Sequence, residues 1–236
     1  MTVVTVLTLF GFYSLYAAFF ASATVSTPDG VSYLSPFYSP YIPSPWAWLS
    51  PAVFILWIPL GFRASCYDYR KAYYRAFFWD PPACNSRAQE LEPRSADNYK
   101  GERAAPFIFN NIHRYFLYGS ILLVFFLGFE AILAMFPEGG GFALPLGALI
   151  LLVNAILLGG YTFGCHSLRH LIGGRMDCYS CVKGGSTLRK AYRGVSKLNA
   201  RHATWAWASL FSILFADIYL RLLIAGVITD VTLFQI

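Results

Sequence analysis

The side chains able to do metal or redox chemistry in this sequence are five cysteines and four histidines, and they are clustered along the chain. Cys66 and Cys84 come first, followed by His113. Cys165, His166 and His170 form a second group, Cys178 and Cys181 follow it, and His202 comes last. His166 and His170 stand four residues apart, so a helix places both imidazoles on one face. Two imidazoles with two thiolates make the mixed ligand set of a Rieske-type [2Fe–2S] centre, where histidine in place of cysteine raises the reduction potential. Geometry selects Cys66, Cys84, His166 and His170 as the iron ligands, with Cys165 and His202 in reserve. Each residue alone has a plainer reading, as a packed thiol or a hydrogen-bonded ring. Cys178 and Cys181 have the CxxC spacing of zinc and redox sites, but a single such pair reads as free thiols or a local feature of its loop.

The elements that must position these groups are apolar. Hydrophobic residues make up 57% of the 236 and charged residues only 13%, against roughly 25% charged in a soluble domain. Crossing a bilayer takes about 20 apolar residues. Five runs approach that length, at 3–25, 46–62, 107–136, 144–165 and 203–228. The expected fold is therefore an all-α bundle of five transmembrane helices, a single domain over residues 1–236. The first run lacks the basic start and small-residue cleavage site of a signal peptide. The second is short and carries Pro51 and Pro59, which predicts a kink or tilt.

Charge sets the orientation. Residues 63–103 hold eight Lys or Arg and residues 169–201 hold eight more, sixteen of the eighteen in the chain. The loops around 28–45 and 137–141 have none. The positive-inside rule makes the basic side, loops 63–106 and 166–202, cytoplasmic. The N-terminus is then inside and the C-terminus outside, in a multi-pass protein of the cell's inner (cytoplasmic) membrane. All nine Cys and His fall on that cytoplasmic side, which is why they read as one centre. A reducing cytosol argues against disulfides among them. The basic residues sit between apolar spans, which excludes nucleic acid as the partner.

Glu130, Asp217 and Arg221 fall well inside predicted spans, where ionised groups normally face the bundle interior. Asp217 and Arg221 are four apart and read as an internal ion pair, while Glu130 is a candidate proton carrier. The outer segment Ser35–Tyr41, rich in Pro and aromatics, reads as a stiff strip along the outer surface. A quinone headgroup would need polar donors beside an apolar slot at the cytoplasmic interface. His113, Arg114 and Tyr74 stand at that depth, with Trp205 or Trp207 as an aromatic wall.

Four segments together resemble a known family: the run from Cys66 to Cys84, Asn111-Ile-His-Arg-Tyr-Phe116, Cys165-His-Ser-Leu-Arg-His170 with Gly173-Gly174, and Lys197-Leu-Asn-Ala-Arg-His202. They are similar to the membrane-anchor (cytochrome b-like) subunit of succinate dehydrogenase, respiratory complex II, in the heme-free type F class. The resemblance covers about Phe54 to Tyr219. It implies a flavoprotein subunit and an iron–sulfur subunit as partners, quinone as the electron acceptor, and a Rieske-type [2Fe–2S] cluster in the anchor. It supports Cys66, Cys84, Cys165, His113, His166, His170 and His202 as motif positions without saying which bind iron. It gives Cys178 and Cys181 no role. The alternatives are a b-type heme anchor, with His113 and His170 or His202 as axial ligands, and a purely structural anchor.

Overall fold

The computed structural model describes residues 2–26, 31–69, 108–137, 140–174 and 178–236. Helix α1 spans Thr2–Phe19, α2 Val53–Ser65, α3 Ile108–Leu133, α4 Leu146–Phe163, α5 His166–Arg169, α6 Gly185–Asn199 and α7 His202–Ile224. A π-turn, His170–Gly174, extends α5. Among the described residues, four helices are long and apolar enough to cross a membrane: Thr2–Phe19, Ile112–Leu133, Leu146–Phe163 and His202–Ile224. Helix α4 is central, packing on α3 on one side and α7 on the other, while α2 lies against α3.

The expected second span departs furthest from its forecast. Residues 46–52 form turns, and α2 has 13 residues, a rise of about 20 Å against a hydrocarbon core of about 30 Å. The cause lies in the prolines. Pro43, Pro45 and Pro51 withhold backbone donors, so the helix starts only where Val53 and Phe54 donate to Ser50 and Pro51. Pro59 sits inside the helix and removes one further bond.

Two short ribbons qualify the all-α expectation. Strand β1 (Thr24–Ser26) pairs antiparallel with β2 (Ser32–Leu34), Val25 opposite Tyr33. Strand β3 (Ala143–Pro145) pairs with β4 (Thr232–Gln235), Leu144 opposite Phe234. The second ribbon shortens the last expected span. Helix α7 stops at Ile224, and Gly226 just beyond it, with φ 66°, reverses the chain and sends the C-terminus back along β3.

The aromatic outer segment does not lie along the surface. Phe37 and Tyr38 are buried, because the Tyr38 hydroxyl reaches the carbonyls of Ala17, Ala18 and Ala21 at 2.9–3.0 Å. It thereby caps the end of α1, whose last carbonyls have no partner within the helix.

The two aspartates at this end of the bundle are well partnered. Asp217 is fully buried and accepts from Tyr13 at 2.6 Å, from Ser35 at 2.5 Å, and from Arg221 at 2.9 and 3.2 Å. The expected internal ion pair is present. Asp230 accepts from Tyr33, from Tyr219 at 2.8 Å and from the Gly147 amide at 3.1 Å.

A thiol–imidazole cluster at one end of the bundle

At the opposite end, α2 and α4 finish alike. Cys66 is the first residue past α2, with φ −65° and ψ 136°. Cys165 follows α4 by two residues, with φ −65° and ψ 141°. The extended backbone breaks each helix at its cysteine and turns the thiol inward, and both are buried. The Cys165 sulfur also accepts from the Ser167 amide at 3.3 Å, capping α5.

Each thiol meets one imidazole. His113 Nε2, from the start of α3, lies 3.0 Å from Cys165 Sγ. His202 Nε2, from the first residue of α7, lies 3.6 Å from Cys66 Sγ. Each ring is held by an aromatic neighbour. His113 stacks on Phe62 at 4.5 Å and 7°, and His202 on Tyr161 at 5.0 Å and 17°. Phe62 and Tyr161 touch edge to face at 5.1 Å, so the two halves of the cluster share one aromatic wall. Ser65 Oγ stands 2.9 Å from His113 Nδ1. Close approach completes the packing: a Cβ on Gly160 of α4 would meet the Trp205 ring of α7 at 2.6 Å.

Burial dominates the electrostatics of the thiols. It pushes Cys66 up, and Cys165 up to about 11, against the opposing pull of nearby backbone amides. Both are therefore protonated at neutral pH when nothing is bound, and binding of a metal would release their protons. Arg63 of α2 adds a positive charge. Its guanidinium bonds Tyr69, Ser209 Oγ at 3.1 Å and the Ala206 carbonyl at 3.3 Å, and lies 4.9 Å over the Tyr161 ring.

Two thiols and two imidazoles among apolar side chains form a donor set suited to iron–sulfur ligation. His202 Nδ1 is buried with no hydrogen-bond partner among the described residues. These residues fit a mixed-ligand centre. A smaller set overlaps it: the ligand atoms of Cys66, Asp68 and His202 all lie within 4.8 Å of one another.

The comparisons with known proteins agree with this architecture. The family described as actinobacterial succinate dehydrogenase subunit SdhC matches residues 1–226. The chain belongs to that family. It is a membrane-anchor subunit of succinate dehydrogenase. A chain of the Mycobacterium smegmatis Sdh1 complex in the apo form has the same fold, with a TM-score of 0.78 and 34% identity. The alignment covers 97% of this chain and 88% of that one. No curated protein matches.

The anchor distributes the expected site residues unevenly. Of the four first-choice ligands, Cys66 is in the cluster. His166 is exposed, with its ring 5.9 Å from that of His202, and His170 is exposed in the π-turn. Cys84 lies outside the described residues, as does Tyr74. The reserves Cys165 and His202 are both in the cluster. Of the expected quinone contacts, His113 has both ring nitrogens directed at cluster residues, and Arg114 is exposed. Trp205 and Trp207 pack against the cluster's apolar shell, and Trp205 Nε1 is buried without a partner among the described residues. Asp68 and Arg63 were missed as site residues. An arginine in the last turn of an apolar helix was the available signal for Arg63.

Cys178 and Cys181 are not free thiols. They are joined in a disulfide, because the turn after residue 178 folds the chain back and brings the two Cα atoms to 5.5 Å, within bonding reach.

Proposed function

We propose that the anchor carries electrons from an iron–sulfur subunit of succinate dehydrogenase to membrane quinone through a mixed thiolate–imidazole [2Fe–2S] centre. The supporting observation is two buried thiol–imidazole pairs, Cys66 with His202 and Cys165 with His113, packed on one Phe62–Tyr161 wall. When bound, such a centre supplies a one-electron relay of raised potential. Cys66 and Cys165 hold it as thiolates, and His113 and His202 as imidazoles. Ser65 orients the His113 ring through Nδ1, a partner of the kind that fixes tautomer and basicity in ligating histidines. Phe62 and Tyr161 fix the ring planes and exclude water. The Trp205 indole N–H has no partner among the described residues and is suited to a quinone carbonyl, with Trp207 as an apolar wall and Arg114 at the rim.

This assignment uses the residues that meet in space in place of the i, i+4 pair. The anchor's partners are then the flavoprotein and iron–sulfur subunits, docked on the cytoplasmic side. The protein sits in the inner (cytoplasmic) membrane with its basic face in the cytoplasm. Heme is the weaker cofactor, because each of the two buried imidazoles stands beside a thiol, the donor pairing of a mixed-ligand iron–sulfur centre. A second reading has its own support, a single divalent metal on Cys66, Asp68 and His202.

The test is low-temperature paramagnetic resonance of the reduced complex, with the variants H113A/H202A and H166A/H170A. The expected result is a [2Fe–2S] signal beyond those of the soluble subunits, lost only in H113A/H202A along with quinone reduction. Loss in H166A/H170A alone would transfer the ligand role to that pair. No such signal, with stoichiometric zinc in the purified anchor, would favour the single-metal reading.

A further inference from the structure

Helix α6 has no part in the electron relay, and its chemistry is one-sided. Arg189, Arg193, Lys197 and, just past its end, Arg201 recur every four residues, with Lys190 beside them, and all five are exposed. Residues 178–202 contain no Asp or Glu. None of the five side chains makes an ion pair among the described residues. On the other side, Leu188, Tyr192, Val195 and Leu198 are half-buried against the protein.

The helix is fastened at a defined level. Asn199 Nδ2 donates to the Gly164 carbonyl at 2.8 Å, where α4 ends. Arg169 Nε donates to Ser196 Oγ at 3.0 Å, and the Arg169 guanidinium lies 5.1 Å over the Tyr192 ring. Helix α7 begins at His202, immediately after the stripe. The five cations therefore stand where two membrane helices meet the interface, at headgroup depth.

Like charges four apart on a helix repel, and this stripe stacks them turn upon turn with no acid between. Helix α6 also carries Gly194 in its interior, a poor helix former. A helix so composed, held with its cations outward at the interface, calls for an external anion. The anion available along a bilayer surface is the phosphate of an acidic lipid, which basic segments beside membrane helices attract within a Debye length.

We propose that the Arg189–Arg193–Lys197–Arg201 stripe, with Lys190, is a docking surface for the headgroups of anionic phospholipids. The interaction is one of charge, so Lys and Arg are interchangeable in it.

The test uses the anchor within its purified complex, reconstituted into phosphatidylcholine nanodiscs with a trace of spin-labelled phosphatidylglycerol or spin-labelled phosphatidylcholine. The measured quantity is the motionally restricted fraction of each label. The expected result is a severalfold preference for phosphatidylglycerol at low salt. It should fall to near parity at high salt and in R189Q/K190Q/R193Q/K197Q, and persist in R189K/R193K. The salt arm needs no variant, so it stands even if the quadruple change reduces yield. No preference in the unaltered protein would overturn the proposal, as would a preference insensitive to salt or to the four changes. Shedding of the soluble subunits by the quadruple variant, with lipid preference intact, would assign the stripe to a protein partner and overturn it equally.

Discussion

Both ends of the bundle hold buried polar groups and use them differently. At the ribbon end, Asp217 and Asp230 are surrounded by Tyr13, Ser35, Arg221, Tyr33 and Tyr219, and their carboxylates accept several bonds each. At the cluster end, two thiols face two imidazoles, and the buried His202 Nδ1 and Trp205 Nε1 have no partner among the described residues. Well-partnered carboxylates hold helices together, since each desolvated charge has its donors. An unpartnered group keeps capacity for something else to bind. Under the proposed function, stability falls to one end and chemistry to the other.

The sharpest way to break that contrast is to damage each end in turn. Replacing Cys66 or Cys165 with Ala should abolish quinone reduction, while succinate oxidation with a soluble acceptor continues in the partner subunits. Survival of quinone turnover in either variant would remove that thiol from the relay.

At the other end, Asp217→Leu leaves the Arg221 charge without its counter-ion inside the bundle. It should cost about 3–5 kcal/mol, seen as a lower thermal midpoint in detergent. Quinone turnover per folded molecule should not change. A selective loss of turnover would mean that the ribbon end takes part in the chemistry.

A subtler change sharpens the role of the cluster's supports. Ser65→Ala removes the partner of His113 Nδ1 and should weaken metal retention by about 10–100-fold, measured as iron lost to a chelator. Unchanged retention would make Ser65 a packing residue. Smaller again is Gly160→Ala, whose new Cβ must displace the Trp205 ring. It should cost about 1–3 kcal/mol by overpacking and raise the apparent Michaelis constant for quinone if Trp205 lines that site.

Orientation is tested separately. Sixteen of eighteen basic residues lie in two stretches, so a reporter fused after Ile236 should be found outside the cytoplasm. A cytoplasmic reporter would contradict the assignment of the basic face.

Much of this was legible in the sequence, for physical reasons that differ by residue. Apolar runs of bilayer length announced α1, α3, α4 and α7, because no soluble helix needs so unbroken a stretch. Prolines announced trouble in α2 but not where it would start. The ribbon strands were invisible, since three-residue pairs closing helix ends have no period of their own. The metal-binding residue types were visible as a group, while the contacts between them were not. His166 and His170 share a helical face by spacing, but the break at Cys165 decides which way that face points, and both stand exposed. His113 and His202 come from the starts of two other helices, and only the packing of α3 and α7 on α4 brings them to the thiols.

The most direct measurement is pulsed paramagnetic resonance on the reduced complex grown with nitrogen-labelled histidine. The account predicts two coupled histidine nitrogens on a [2Fe–2S] centre, both lost in H113A/H202A and both kept in H166A/H170A. A centre with no coupled histidine nitrogen, or couplings that survive the loss of His113 and His202, would contradict it.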